Sequence, residues 1–335
     1  MFKKLTEYLK THTRKSEKTP TIILGLSGGP DSVFLFYFLK QLQKEEPDER
    51  VNKEDSIKLI AAHLNHGWRE NAHKDETFCK KLCEKYNIPL IIEHAKNLSV
   101  QPKFNGSKEE IGRKLRRHFF KTLCKKHNAT YIALAHHQQD QQETFFMRLL
   151  RGTTLNGLTA MKPVDGIFLR PLLTTSKKEI LEYLKQNNLD YIIDHTNESD
   201  SFLRNRIRKY VIPALQKCDD RFNKKLESTL EHLKQEDDFL DRLTEKVCDN
   251  VFAVRRNQKD TTTIGNKTEF ANLDLAIQKR LIPYWLTKEK VIFSPSNTHI
   301  MEIIRFLKSP RGGTHSIHQT WCIKKQQNNF WIEKL

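Results

Sequence analysis

The chain has 335 residues, 37% of them hydrophobic, enough to bury one sizeable core and a second, smaller one. Lys and Arg number 58 against 41 Asp and Glu, and the formal net charge of +17 predicts attraction to a polyanion. Six Cys (Cys79, Cys83, Cys124, Cys218, Cys248 and Cys322) include no C-x-x-C pair, and no apolar run approaches a membrane span, so metal ribbons, disulfide scaffolds and membrane helices are all disfavoured.

The first segment, Met1–Leu9, has no long apolar core and reads as an amphipathic helix rather than a signal peptide, which predicts a cytoplasmic protein. The apolar run Thr21–Leu26 predicts a strand, and Asp31–Lys44 predicts a helix. Between them lies Ser27-Gly28-Gly29-Pro30-Asp31-Ser32. A strand, a tight glycine turn and a helix start leave backbone N–H groups aimed at a phosphate, with the glycines permitting the turn and Ser27 and Ser32 adding hydroxyl donors. Asp31 repels bare phosphate, so it needs a bridging cation or a structural role. The loop has no Lys and no G-x-G-x-x-G, so it is neither an ordinary ATPase loop nor a dinucleotide fingerprint.

After a charge-rich, solvated stretch at Lys44–Lys58, a strand is predicted at Ile57–Leu64, a helix at Asn71–Tyr86 and a strand at Leu90–Glu93. A helix follows at Ser107–His127, opened by a capping box from Ser107 to Glu110, and then a strand at Tyr131–Ala135. Strands separated by helices of this length predict a parallel α/β sheet with right-handed crossovers, and ligands in such sheets sit beyond the strand C-terminal ends. Three segments converge there: the glycine loop, His63-Leu64-Asn65-His66 and His136-His137. His63, Asn65 and His66 are candidates for the adenine side of that crevice, although a lone histidine there is more often structural.

His136-His137-Gln138-Gln139-Asp140-Gln141-Gln142-Glu143-Thr144 is the densest polar group in the chain. His136, Asp140 and Glu143 stand at i, i+4 and i+7, so a helix running from the start of this segment would put them on one face. Two carboxylates and an imidazole suit Mg²⁺, or a cationic amine, or both; a solvated first helical turn is the bland alternative. Basic residues gather in Arg113-Lys114-Leu115-Arg116-Arg117-His118, at Arg148 and Arg151, and in Arg204-Asn205-Arg206-Ile207-Arg208-Lys209. Such arginines either neutralise charge on a departing phosphate or bind an RNA backbone. Helices are predicted at Lys177–Asn187, Leu203–Leu215 and, with an apolar stripe broken by charge, Phe222–Asn250. Further helices are expected at Asn272–Leu286 and Thr298–Leu307, and Gln319–Ile323 with Phe330–Glu333 reads as a closing hairpin. The expected domains are 1–215 and a mostly helical 216–335.

Together these motifs resemble the tRNA(Ile)-lysidine synthetases, within the wider N-type ATP pyrophosphatase superfamily. The resembling stretches are Ser27–Ser32, His63–Arg69, Glu109–Arg117, Ala135–Thr144, Gly152–Pro163, Arg170-Pro171-Leu172, Asp194–Asn197 and Arg204–Arg208, with Pro213 closing the last. The glycine loop identifies only the superfamily, whereas the His-His segment with the later Arg-Asn-x-Ile-Arg is far more specific. The resemblance implies a Rossmann-like parallel sheet and a smaller, mostly helical C-terminal domain that contacts tRNA. It also implies that ATP adenylates C2 of the wobble cytidine in a CAU anticodon, releasing pyrophosphate. The side-chain amine of free lysine then attacks C2 and releases AMP, leaving lysidine. Carried over by position, Ser27, Gly28, Gly29, Pro30, Asp31 and Ser32 would hold the ATP phosphates, with Asp31 and Asp140 as magnesium ligands. His136, Asp140 and Glu143 would serve adenylation and lysine handling, and Arg113, Arg116, Arg204 and Arg208 would contact phosphate or tRNA. Relatives are often dimers, so a homodimer is an expectation from resemblance alone. The chain departs from the pattern at Gln139, where many relatives have a first Asp, which leaves the metal role to Asp140. Two alternatives share the superfamily or the fold: a tRNA thiolase, which would want a persulfide-bearing Cys near the crevice, and a catalytically inactive RNA-binding homologue.

Overall fold

The computed structural model describes residues 5–7, 11, 19–43, 57–68, 72–99, 108–193, 202–256, 261–291, 293 and 295–335, which form two compact units, Met1–Leu230 and Glu231–Leu335. Lys44–Ser56, Arg69, the expected cap Ser107 and the segment Asp194–Asn197 lie outside the described residues, as does most of Met1–Leu9.

In the first unit, β1 (Thr21–Gly25) pairs in parallel with β2 (Lys58–Asn65) and β4 (Tyr131–Ala133), and β2 pairs in parallel with β3 (Leu90–His94). Two strands of two residues complete the sheet. β6 (Phe168–Leu169) runs parallel to β4, and β5 (Val164–Asp165) folds back antiparallel on β6 through a turn at Gly166, giving the order β3-β2-β1-β4-β6-β5. The first four strands fall where the apolar runs predict them. The last two are too short to show a period of two, so pattern could not reveal them.

Alternation along the strands sorts the core into two layers. Ile22, Leu24, Leu59, Ala61 and Ala133 pack with α1 (Pro30–Leu42), α2 (Ala72–Lys85) and α6 (Lys177–Gln186). Ile23, Ile60, Ala62, Leu64 and Ile132 pack instead with Ile111, Leu115, Phe119 and Leu123 of α3 (Lys108–Lys126). Helix α1 is buried at Ser32 and at six apolar residues, which explains its nearly continuous Val33-Phe34-Leu35-Phe36 sequence. Sandwiching the sheet in this way leaves the strand C-terminal ends as the open edge where α1, α4 (Gln138–Leu150) and α6 begin, a single turn of helix, α5 (Leu155–Leu158), coming between the last two in the chain.

The second unit is more helical than extended, as expected, but its sheet is larger than the predicted hairpin. After the long helix that runs from Phe222 to Val251 come β7 (Phe252–Arg256) and β8 (Thr261–Asn266), and later β9 (Gly313–His318), β10 (Trp321–Gln326) and β11 (Asn329–Lys334). They form one antiparallel sheet in the order β7-β8-β11-β10-β9, and β10 with β11 is the hairpin foreseen. An aromatic cluster of Phe252, Phe270, Trp285 and Phe330 fills the core of this unit, with ring centroids 5.0–5.8 Å apart. No helix among the described residues is long and apolar enough to cross a membrane.

Candidate active site

The glycine loop turns on Gly28, whose φ of +85° is in the left-handed region that favours glycine, and whose carbonyl accepts from Ile192 N–H at 2.9 Å. Gly29 differs. Its backbone is extended, a Cβ there would meet nothing nearer than Ser27 Oγ at 3.6 Å, and it caps α1, where Pro30 takes the first helical position. The serines tie the turn together: Ser32 Oγ donates to Gly29 O at 2.9 Å and accepts from Ser27 N–H at 3.1 Å, and the two hydroxyls lie 3.1 Å apart. Both serines therefore do structural work in the loop as it stands.

Helix α4 begins at Gln138, two residues later than a shared face for His136, Asp140 and Glu143 would require. His137 is its cap: Nδ1 accepts from Gln139 N–H at 3.2 Å while Asp140 Oδ2 accepts from His137 N–H at 2.9 Å. This capping box is usually built on Ser or Thr. Committing Nδ1 as an acceptor puts the ring proton of a neutral His137 on Nε2, and that nitrogen lies 3.6 Å from both Asp31 Oδ2 and Asp140 Oδ2. The two carboxylates expected to bind metal are thus gathered around one imidazole, and it is His137 rather than His136 that joins them.

The glutamines of the segment, which carry no obvious message in sequence, bind the site to neighbouring segments. Gln141 exchanges two hydrogen bonds with the backbone of Met161, at 2.7 and 2.9 Å, and the buried Gln142 donates to Asn223 Oδ1 at 2.9 Å. Gln138 N–H donates to Thr175 O and Gln139 Oε1 accepts from Lys177 N–H, both at 2.9 Å. Lys177 then reaches the loop, with Nζ 2.6 Å from Asp31 Oδ1. Sequence reasoning missed this lysine, because 146 residues separate the partners; the only available signal was a cation at the start of a helix, where the dipole disfavours one.

Glu143 is fully buried and doubly compensated. Arg204 Nε donates to Glu143 Oε2 at 2.6 Å and Arg208 Nε to Glu143 Oε1 at 2.5 Å, with a second Arg208 contact at 3.1 Å. Arg204 also reaches Asp140 Oδ1 at 2.5 Å. Arg204 lies on a short helix, α7 (Leu203–Arg206), and Arg208 in the π turn Ile207–Val211 that joins α7 to α8 (Ile212–Cys218). Pi turns are rare and frequently occur at functional sites. The hydrogen bond to Glu143 raises the Arg208 pKa above its ordinary value. Burial would push Asp140 up, but His137, Arg204 and the His137 N–H together bring it below the usual carboxylate range. The acidic nest read from the sequence is therefore occupied: two guanidinium groups balance two carboxylates.

The remaining expected residues are dispersed around this centre. His136 sits between β4 and α4, and burial, helped by the charges of Arg170, Arg204 and Arg116, lowers its pKa to about 4 against the pull of Asp140, so it is neutral at physiological pH. Its Nδ1 is buried without a hydrogen-bond partner. Arg113 is exposed on α3, and Arg116 Nε bonds back to Gly112 O at 3.3 Å. His63 is buried, with Nδ1 2.9 Å from Leu26 O, and Asn65 accepts from Gly67 N–H at 2.8 Å and donates to Glu76 at 3.3 Å. Both brace the strand ends. His66 stacks on Trp68 at 4.7 Å. Arg148 is spent on the carbonyls of Gly157 and Ala160, at 2.7 and 2.8 Å.

Comparison with known proteins gives three results. The PP-loop domain matches residues 2–215. Over 307 residues the chain is 35% identical to the tRNA(Ile)-lysidine synthase of Clostridium perfringens (strain 13 / Type A), covering 89% of this chain and 60% of that one. It is 34% identical over 311 residues to the enzyme of the same name from Bacillus subtilis (strain 168), covering 90% and 62%. The chain spans about three fifths of the length of these curated relatives. Among solved structures, a U34-tRNA thiolase from Methanococcus maripaludis matches with a TM-score of 0.55 at 22% identity, covering 69% of this chain and 78% of that one. At that identity the likeness speaks to the fold alone.

Proposed function

The chain belongs to the PP-loop domain family, an ATP-binding fold, and from that premise we propose that it ligates lysine to C2 of the wobble cytidine in a tRNA(Ile) with a CAU anticodon. The observation that carries this reading is the 35% identity, sustained over 307 residues, with a relative of that activity by name. In the reaction, ATP adenylates the C2 position and pyrophosphate leaves; the lysine amine then forms the new carbon–nitrogen bond and AMP leaves. Residues 1–215 are the catalytic domain in this reading, and 216–335 adds tRNA contacts through a surface of net positive charge.

Gly28 and Gly29 open the loop to the triphosphate, with the N-terminus of α1 and the serine hydroxyls as donors. Asp31 and Asp140 are the residues that would hold magnesium, since an oxygen of each lies 3.6 Å from the same His137 Nε2 and oxygen donors suit that ion. Among the described residues no group of three or more His, Cys, Asp or Glu is disposed to hold a metal alone, so phosphate oxygens and water would complete the shell. Magnesium bound there would draw off charge as pyrophosphate departs. An incoming lysine ammonium must exchange with Arg204 or Arg208 to reach Glu143, which frees a guanidinium for the nucleotide phosphate. Arg113 and Arg116 are assigned to phosphate or tRNA, and a homodimer is retained from the resemblance. Thiolation fits less well: burial raises the thiols of Cys79, Cys83 and Cys124, away from the reactive range.

The test supplies purified protein with ATP, Mg²⁺, labelled lysine and unmodified tRNA bearing a CAU anticodon. Label entering the tRNA, dependent on ATP and lost when the wobble C is replaced, is the expected result. Pyrophosphate release without label would retain adenylation and reject lysine as the nucleophile. Neither product would reject the ligase.

A further inference from the structure

The loop that would hold the triphosphate contains an acid and no base. Asp31 stands in the first turn of α1, where phosphate oxygens would approach, and the expected arginines are engaged elsewhere, Arg204 and Arg208 with Glu143 and Asp140. Lys177 stands in that gap. Its position is costly in isolation, because it is the first residue of α6 and a cation there opposes the helix dipole. Its backbone is nevertheless held from three directions. Ser176 and Glu179 form a reciprocal capping box at the helix start, Thr175 O accepts from Gln138 N–H, and Gln139 Oε1 accepts from Lys177 N–H itself. With the backbone fixed, Nζ comes to 2.6 Å from Asp31 Oδ1. Neither group is sealed in: the lysine side chain is 33% exposed and the aspartate 27%, so a ligand from solvent can reach both.

We propose that Lys177 is the protein's own counter-cation for the nucleotide phosphates, parked on Asp31 until metal and nucleotide arrive, and that Gln139 is the positioning residue that delivers it. The inference rests on the ATP-binding part of the reading above and not on the identity of the nucleophile or the RNA. With Asp31 given over to the metal, the Lys177 ammonium would swing on its flexible four-carbon stem to a phosphate oxygen. The amide at position 139 gains a definite role: it accepts the Lys177 N–H, and it adds no negative charge that would hold the ammonium back.

Such an exchange has a signature with opposite signs, which loss of structure would not produce. Without nucleotide, Lys177 competes with metal for Asp31, so Lys177→Met should bind Mn²⁺ several-fold more tightly than wild type, read from the free-ion paramagnetic resonance signal. In the presence of Mg²⁺ the same variant should bind ATP about tenfold more weakly, the loss of one charge-assisted contact. Lys177→Arg should hold ATP affinity close to wild type, because the positive charge is retained. Gln139→Leu should move both affinities in the directions of Lys177→Met by a smaller factor, and Gln139→Glu, which keeps the acceptor oxygen, should reverse the part due to the lost hydrogen bond. Mn²⁺ and ATP affinities that both weaken in Lys177→Met, or both stay unchanged, would overturn the proposal. Neither readout involves lysine or tRNA, so its failure and the failure of the ligase reading are told apart.

Discussion

The two ends of the candidate site are built from the same chemistry and held in opposite ways. Around Asp31 one carboxylate meets one ammonium at the edge of solvent, with Lys177 33% and Asp31 27% exposed. Around Glu143 a carboxylate with no exposed surface takes two guanidinium groups from a single helical segment, and Asp140 links the ends by holding Arg204 with one oxygen and His137 N–H with the other. An exposed pair contributes little to stability and exchanges partners readily, whereas a buried charge that loses its partners is heavily penalised. The contrast separates a pair that exchanges partners readily from a buried carboxylate whose guanidinium leaves only when another cation takes its place, and it predicts different consequences for equivalent mutations.

Ranked by stability, the largest effect belongs to the buried end. Glu143→Leu leaves Arg204 and Arg208 without their acceptor and should cost about 2–4 kcal/mol in denaturant unfolding, discounted from the fully buried case because Arg208 is half exposed. A cost below 1 kcal/mol would abolish the contrast. Acid probes the junction between the ends. His136 has a pKa of about 4 against an ordinary 6.5, so its neutral form is favoured by folding. That contribution is complete above pH 6.5 and is lost as the pH falls towards 4, amounting to roughly 3 kcal/mol at most. His136→Gln should flatten the profile in that window; an unchanged slope would show that another group is responsible. A smaller effect distinguishes the glycines. Gly28→Ala, strained at φ +85° and with Ile192 Cδ1 3.0 Å from its new methyl, should lose about 1–2 kcal/mol. Gly29→Ala should stay within about 0.5 kcal/mol, so any loss of ATP binding there would report exclusion of the ligand. Asp31→Asn is also small in stability, costing under about 1 kcal/mol, while abolishing pyrophosphate release. Retained turnover would remove Asp31 from the metal site.

What was legible in the sequence follows from how locally each feature is encoded. The strands β1 to β4 and their crossovers are visible because a buried parallel strand is a run of apolar residues and a crossover helix has its own period. The loop at Ser27–Ser32 is equally local. The antiparallel sheet of the second unit was only partly visible: β8 opens on the polar run Thr261-Thr262-Thr263 and pairs on one side with a strand more than sixty residues later, and β7 is a short run ending in two arginines. At the site, the carboxylates and arginines could be found by type, yet their pairing could not. Nothing between Lys177 and Asp31, or between Gln139 and the start of α6, is periodic. Likewise, an imidazole serving as a helix cap lies outside the Ser, Thr, Asp and Asn vocabulary by which caps are recognised. Counting the helix from His136 singles that residue out, but the helix starts two residues later, at Gln138, which leaves His136 before the cap and makes His137 the cap itself.

The short hairpin that closes the first sheet bears on how this chain behaves at high concentration. A sheet that ended on a long flat strand would offer a row of unpaired amides to any neighbouring chain, the usual template for aggregation. Here the margin next to β6 is a strand of only two residues, Val164–Asp165, preceded by Pro163, which has no amide to donate, and ending in a charged side chain. A side-chain hydrogen bond from Arg170 to Asp165, at 3.4 Å, helps keep that border folded back on itself. Lengthening β5 with apolar residues, or relieving it of Pro163 and Asp165, would convert a guarded border into an adhesive one, so this side of the sheet is protected against self-assembly by brevity rather than by cover.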